Sequence, residues 1–340
     1  MIDRPLCRGA HGYISPWMIG ILMAAAISIY ALLSATGTGF LMQRRRSEYH
    51  QAAARLNSIT AQAISLLRRR GIGEADSPRA SYMISMDALV QEAKADGVNL
   101  QVCDISSRLN PNWMAPFMLE RTKLNTILRA GKTPAMLQQF RQENGFSLHI
   151  EEFYRDWFST HAIDSLLTPY SYANINIDDE FSLRRLYEYI SRHSGELFQA
   201  EIQGLRKRSQ FLTPLELPQF FGESYRRIHP VIHAGPAMNI HYVPEEILHA
   251  VLSYPYFNID NPQTVTQQII SHRNGSGIKA GELPGLLQVP PDSPLLQYLG
   301  VQTYFWRIDV HFAEYVQTTI VAVVPQPQEP EPYRRIRIIR

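Results

Sequence analysis

The chain has 340 residues, enough for an apolar anchor plus one large or two modest domains. With 33 basic against 31 acidic residues its net charge is +2, which argues against bulk electrostatic binding of nucleic acid. Of its two cysteines, Cys7 precedes the apolar run and Cys103 follows it, so no internal disulfide is expected.

Residues 1–12 read as a short leader carrying Asp3, Arg4, Arg8 and His11. An uncharged apolar run follows from Tyr13 to Met42 and includes Trp17, Ile21, Leu22 and Ile29. Roughly thirty consecutive uncharged residues cannot be hidden in the core of a soluble domain of this size. The expectation is therefore a single membrane span over 13–43, with Pro16 in the first helical turn, where its missing N–H costs little. Three readings of the leader compete: a secretory signal cut near Ser34-Ala35-Thr36-Gly37, an uncleaved signal anchor, and a prepilin-type leader cut on the cytoplasmic side after Gly12, alternatively after Gly9. The third is preferred, because Gly12 followed by the aromatic Tyr13 stands directly before the apolar run. Arg44, Arg45 and Arg46 conflict with it, since the positive-inside rule would place the body of the chain in the cytoplasm.

Beyond the arginines the helical pattern continues: Tyr49, Ala52, Ala53, Leu56, Ile59, Ala63, Ile64 and Leu67 recur at three- and four-residue steps, and Gly71 and Gly73 end the pattern. A helix unbroken over 13–71 would be on the order of 90 Å long. Arg68–Arg70 then complement the helix dipole. A short helix is expected over 82–97 and a strand over Asn99–Ile105, leading into the turn-rich Ser106–Asn112. From about 114 to 290 the chain reads as mostly helical, with apolar stripes over 118–130, 134–143, 147–166, 181–208, 213–228 and 244–254. The period then changes. Tyr304, Trp306, Ile308, Val310 and Phe312 alternate with Phe305, Arg307, Asp309 and His311, and after a turn near Ala313-Glu314 Val316, Thr318, Ile320, Ala322 and Val324 alternate again, which predicts a β-hairpin with one apolar face. A lone hairpin is marginal, so it needs the 99–105 strand and a covering helix. The expected class is α+β, with a helical region inserted between the first strand and the last two.

Candidate chemistry is sparse. His229, His233, His241 and His249 invite a metal reading, but Pro230 falls between the first two and the glutamate of a zinc hydrolase motif is lacking, so ordinary surface or capping histidines are expected. Asn176, Asp178, Asp179 and Glu180 could offer oxygen ligands, although a solvated acidic loop is the plainer reading. Asn274-Gly275-Ser276-Gly277 reads as a turn rather than a phosphate loop, and Tyr333–Arg340, after a Pro/Glu/Gln linker, as a disordered end or a contact for an anionic surface.

Several segments, in order, resemble the K-type minor pseudopilins of type II secretion systems (the GspK family). The "RxNxN" turn reads Arg108-Leu109-Asn110-Pro111-Asn112 within Asp104–Asn112. The "INxxxxPxEVLxxL" segment reads Met238-Asn239-Ile240-His241-Tyr242-Val243-Pro244-Glu245-Glu246-Ile247-Leu248-His249-Ala250-Val251-Leu252, preceded by Leu212–Leu217. The closing motif reads Leu299-Gly300-Val301-Gln302-Thr303-Tyr304-Phe305, and Asp156-Trp157 matches a family dipeptide. The resemblance implies a pseudopilin-like long N-terminal helix packed on a small antiparallel sheet, with a large all-α insertion of SAM or helix-hairpin-helix type. On this chain that maps to a leader at 1–12, the long helix at 13–71, an α/β domain from 72–113 and 299–325, the insertion at 114–298 and a tail at 326–340. It implies no enzymatic activity. The subunit would sit at the tip of a periplasmic pseudopilus, anchored in the inner membrane, with I- and J-type minor pseudopilins, the major pseudopilin and the prepilin peptidase as partners. Trp17 would be the fifth mature residue, where most pseudopilins carry Glu and the K type does not. Calcium is associated with the family, but its acidic, Gly-rich loop has no counterpart in Phe158–Asp164, so the ligands are not located and no other cofactor is expected. The rival readings are a type IV pilus minor pilin, a membrane-anchored hydrolase using the histidine-rich segment, and a cytoplasm-facing membrane adaptor favoured by Arg44–Arg46.

Overall fold

The computed structural model describes residues 16–70, 74–120, 123–275, 277–324 and 336–339. The chain divides into two compact units, with the boundary between Asn57 and Ser58. Helix α1 (Pro16–Arg68) begins with the expected proline at its first position and runs without a break through both the apolar stretch and the arginine cluster. Over Trp17–Met42 its large apolar side chains are open: Trp17 is 81% exposed and Ile29 60%. By length and composition this helix is long and apolar enough to cross a membrane. The hydroxyls in that stretch are satisfied within the helix. Ser28 donates to the Ala24 carbonyl at 2.8 Å, Thr36 to that of Leu32 at 2.9 Å and Thr38 to that of Ser34 at 2.9 Å, as an apolar surrounding requires.

In the second unit the last turns of α1 bury Ile59, Ala63, Ile64 and Leu67, the face set by their spacing. Helix α2 (Ser81–Ala95) buries Tyr82, Met83, Met86, Leu89 and Ala93 and lies beside strand β1 (Val98–Asp104). The remaining strands are β2 (Ala173–Asn174), β3 (Ile232–His233), β4 (Met238–Asn239), β5 (Leu299–Gly300), β6 (Phe305–Phe312), β7 (Tyr315–Val323) and β8 (Ile336–Ile339). The main sheet is antiparallel in the order β1-β6-β7-β8, with Leu100 opposite Val310, Val102 opposite Ile308 and Trp306 opposite Val321. Pairing places Leu100, Trp306, Ile308, Val310 and Val321 on one buried face. In β7 this corrects the expected face: Val316, Thr318, Ile320 and Ala322 lie on the other side of the sheet, where Ile320 and Ala322 pack with Phe305 and Val316 is exposed, because β7 is buried on both faces at its end and its alternation does not mark the phase. The molecule is thus a mixed helix and sheet protein, with a long N-terminal helix and a small antiparallel sheet.

Two further features of the sheet differ from expectation. The tail contributes β8, pairing Ile339 with Ile320 and Ile336 with Val323, where a disordered end or an anionic contact was expected. Its alternating isoleucines match an available edge of β7. Two short parallel pairs, β2–β3 and β4–β5, also stitch the long helical region to itself and to the start of the closing strands.

The helical region between β1 and β6 contains the expected helices Pro134–Asn144 and Glu245–Leu252, and also Pro262–Asn274, capped by Asn261 through the Thr264 N–H. Segment 147–166 is not one helix. After Ile150–Phe153 the chain passes through turns that bury Tyr154 and Phe158, with Leu128 bridged to Phe158 and the Ser159 N–H on the Ile127 carbonyl at 2.9 Å, and winds into a helix again over Ala162–Leu166. Segment 181–208 is two helices, Glu180–Ser191 and Glu196–Lys207, reversed at Arg192 (φ 60°). The reversal brings Gly195 so close that an added Cβ would lie 2.7 Å from Arg184 Cγ. Segment 118–130 likewise shortens to Phe117–Glu120 and Lys123–Ile127, and 213–228 to short turns over Leu217–Ile228. Two cores hold this region: one around Met118, Phe158, Ile247, Leu248 and Ile269, the other around Leu183, Phe198, Ile202 and Ile232. A third cluster, Ile105, Tyr172, Tyr304, Phe305, Ile320 and Ala322, joins the helical region to the sheet.

Candidate functional site

The resemblance motifs converge on one buried polar junction. Asn239, at the end of β4, donates from Nδ2 to the Asp76 carbonyl at 2.7 Å and to Thr303 Oγ1 at 2.9 Å. Its own N–H donates to Ser107 Oγ at 2.8 Å, and its Oδ1 accepts the His241 N–H at 3.0 Å. Thr303, just before β6, donates its N–H to Asp76 Oδ2 at 2.8 Å and its hydroxyl to Asp104 at the end of β1. Asp104 also accepts the Ser107 N–H at 2.8 Å and hydroxyl at 2.9 Å, while the Tyr304 N–H donates to Ser106 Oγ at 3.1 Å. Asp76, wholly buried, has Arg70 Nε 3.5 Å from its carboxylate and accepts the Tyr82 hydroxyl. One asparagine therefore ties the α1–α2 link and the segment before β6 to the helical region through its side chain, and the turn after β1 through its backbone N–H. Gly300 has a physical reason in the same place: paired beside Asn239 in β5, it would drive an added Cβ to 2.5 Å from Pro236 Cβ.

Electrostatics follow from burial. The Asp104 carboxyl is pushed up to about 6 by desolvation, with the Thr303, Ser107 and Ser106 donors opposing. His241 is pushed down to about 4, chiefly by burial and then by nearby Arg273, with Asp76 opposing. Its geometry requires the neutral ring: Nε2 accepts the Ile278 N–H at 2.8 Å, so Nδ1 carries the proton toward Asn239 Oδ1 at 3.1 Å. His233, likewise pushed down to about 4 by burial, accepts the Gly235 N–H on Nδ1 at 2.8 Å. Both histidines are buried acceptors, which corrects the expectation of surface or capping groups: the Ile278 N–H that His241 accepts lies in the loop after Pro262–Asn274 rather than at a helix end.

The other motif residues are structural neighbours of this junction. Asn112 Oδ1 accepts the Ser147 N–H at 3.0 Å and the Tyr154 hydroxyl at 3.1 Å, and Asn110 Oδ1 accepts the Asn112 N–H at 3.0 Å. Pro244 is the N-cap residue before Glu245–Leu252, whose Ile247, Leu248 and Val251 are fully buried. Tyr304 and Phe305 are buried in the cluster that joins the sheet to the helical region. Arg108 stands apart: it donates to the Asp164 carbonyl at 3.0 Å and lines a groove of about 460 Å³ with Arg307, Thr318 and Glu151. Gly9, Gly12 and Tyr13 lie outside the described residues. Trp17, Ile21, Leu22 and Ile29 all lie exposed along α1.

The acidic loop is not solvated. Asp179 caps Glu180–Ser191 through the Ser182 N–H at 2.9 Å, and Asn176 bonds the Leu212 carbonyl at 2.8 Å and Gln297 Oε1 at 2.8 Å. Asp178, pushed up to about 7 by burial, accepts the Asn174 N–H. These side chains hold the loop to β3 and to the segment before β5. Among the described residues no three His, Cys, Asp or Glu side chains converge as a metal site. Thr303, which lies within the closing motif, and Asp76 are central to the junction, yet nothing in the local sequence around Asp76 singles it out. No protein-family model matches the chain, and no curated protein matches it.

Proposed function

We propose that the chain is a non-enzymatic assembly subunit, a K-type minor pseudopilin at the tip of a type II secretion pseudopilus. The observation that carries this reading is the Asn239 junction. Three separated motif segments of the resemblance, Asp104–Asn112, Met238–Leu252 and Leu299–Phe305, meet in one hydrogen-bonded cluster rather than lying scattered. The α+β architecture supports it: a long N-terminal helix, a small antiparallel sheet, and a helical region between the first and later strands of that sheet. In this reading α1 is held in the inner membrane with the body periplasmic, until it packs among the helices of I- and J-type minor pseudopilins and the major pseudopilin. Apolar packing of its exposed face supplies the assembly energy, and the helical insertion, SAM or helix-hairpin-helix in type, blocks further addition. The prepilin peptidase acts at Gly12, alternatively at Gly9. Calcium would be a family property whose ligands this chain does not mark.

Mass determination of the mature N-terminus tests the reading. A chain beginning at Tyr13 or Ala10 with a modified amine is expected. An intact Met1 with the body digestible only from the cytoplasmic side would overturn it in favour of the adaptor that Arg44–Arg46 suggest. Identification of co-assembling subunits separates the pseudopilus from a type IV pilus.

A further inference from the structure

Arg44-Arg45-Arg46 conflicts with the topology of the proposed function, and its place on α1 explains it differently. The helix is continuous through the cluster and all three residues are exposed. Successive helical residues are rotated by about 100°, so three in a row wrap roughly 200° of the circumference and form a collar rather than a stripe. The collar directly follows the last large apolar side chains, Phe40, Leu41 and Met42, themselves 68%, 58% and 75% exposed. Length sets its depth. From Trp17 to Arg44 the helix rises about 40 Å, and a bilayer with its headgroup layers is ~40–45 Å thick. With Trp17 at one interface, the arginines reach the phosphate layer of the opposite leaflet. Glu48 binds Arg44 Nε at 2.9 Å and offsets part of one charge, leaving Arg45 and Arg46 to dominate. Guanidinium groups match phosphate oxygens with paired hydrogen bonds, and their long stems let them rise from apolar surroundings to that level.

We propose that Arg44–Arg46 bind the phosphates of anionic phospholipids in the leaflet on the body's side, fixing the depth of α1 and resisting its withdrawal. The proposal rests on the membrane-spanning reading of α1. It gives the cluster a role that does not need a cytoplasmic body, and it makes withdrawal of the helix sensitive to lipid charge and salt.

The test uses the full chain in a maltoside detergent, mixed with equal amounts of phosphatidylglycerol and phosphatidylcholine, with retained lipids counted by native mass spectrometry. An interfacial arginine contributes about fivefold in affinity for an anionic surface. The wild type is expected to retain phosphatidylglycerol over phosphatidylcholine by about tenfold or more. The triple variant Arg44→Gln, Arg45→Gln, Arg46→Gln should bring the ratio close to one, while Arg68→Gln with Arg69→Gln should leave it unchanged. Equal ratios in the wild type and the triple variant, or the same loss in the Arg68/Arg69 control, overturn the collar. Alkaline carbonate washing of membranes that carry the wild type checks the span separately. Retention in the pellet with no lipid preference overturns the collar alone, whereas release overturns the span and the collar together.

Discussion

The first unit and the second treat the same kinds of side chain in opposite ways. Along the first part of α1, large apolar residues stand exposed and the hydroxyls of Ser28, Thr36 and Thr38 bond carbonyls within four residues. In the second unit Ile247, Leu248 and Trp306 are fully buried, and polar groups reach across the chain: Asn239 to Asp76 over 163 residues, Thr303 to Asp76 over 227. The second unit satisfies its own surfaces. The first leaves to its surroundings the apolar burial that folding ordinarily supplies.

The largest expected effect comes from breaking the second unit at its hub. Asn239→Ala removes donors to the Asp76 carbonyl and Thr303 Oγ1 and the acceptor for His241, in a site with no solvent access. Stranded buried polar groups each cost about 1–3 kcal/mol, so a loss of about 3 kcal/mol or more is expected in urea titration of the full chain. Membrane partition of α1 should not change; a change there would erase the contrast between the units.

The reciprocal substitution is Ile29→Asp, in the middle of the exposed apolar run. A central aspartate costs about 3 kcal/mol on insertion. Recovery in carbonate-washed membranes should fall sharply while the thermal transition of the body stays put. Unchanged recovery would mean that α1 finds its apolar surroundings elsewhere.

How much of this was legible in the sequence depends on the range of the interaction. The strands β1 and β6 were readable because period-two alternation is local, and Pro134–Asn144 and Glu245–Leu252 because an apolar stripe with a proline at the start is local too. The existence of β7 was readable but not its inward face, since Ile320–Val323 are buried on both sides. The break at Arg192 was not, since a left-handed arginine is chosen by the packing of two helices rather than by its neighbours. Asn239 was reached only through a motif. Thr303 too was reached only as part of the closing motif, and Asp76 was missed because its partners come from distant segments and a lone Asp carries no mark of burial. Asn176–Glu180 looked like a solvated loop for the same reason: the groups that bury it, Leu212 and Gln297, lie far along the chain.

A pH series probes the second unit from the inside. His233 and His241, held neutral at about 4 against an ordinary 6.5, contribute stability that is complete above pH 6.5 and lost as pH falls toward 4. Asp104 and Asp178 act with the opposite sign. Raised from 3.8 to about 6 and about 7, they favour the fold fully below pH 3.8 and oppose it as pH rises through those values. Between pH 7 and 5 the two pairs act in opposite directions, so each offsets part of the other's effect on stability. His233→Gln keeps an oxygen to accept the Gly235 N–H but removes one acid-labile group. On acidification from pH 7 to 5 it should gain about 2 kcal/mol relative to the wild type, read by urea midpoints at the two pH values. Parallel pH profiles would mean that His233 takes up a proton as readily in the fold as in the unfolded chain.

The smallest effect concerns the turn between β6 and β7. Ala313 takes φ 51°, a left-handed conformation in which its Cβ crowds the following carbonyl. Glycine has no such penalty, so Ala313→Gly should stabilise the second unit by about 0.5–1 kcal/mol, after allowing for the greater freedom glycine gives the unfolded chain. The strand register Phe312 opposite Tyr315 stays as it is, because the turn length is unchanged. The expected readout is a slightly higher thermal midpoint, with carbonate retention and lipid preference identical to the wild type. A gain confined to the second unit is what two separately satisfied regions require. A shift in the membrane behaviour of α1 from a turn substitution in the sheet would show that the first unit draws on the second after all.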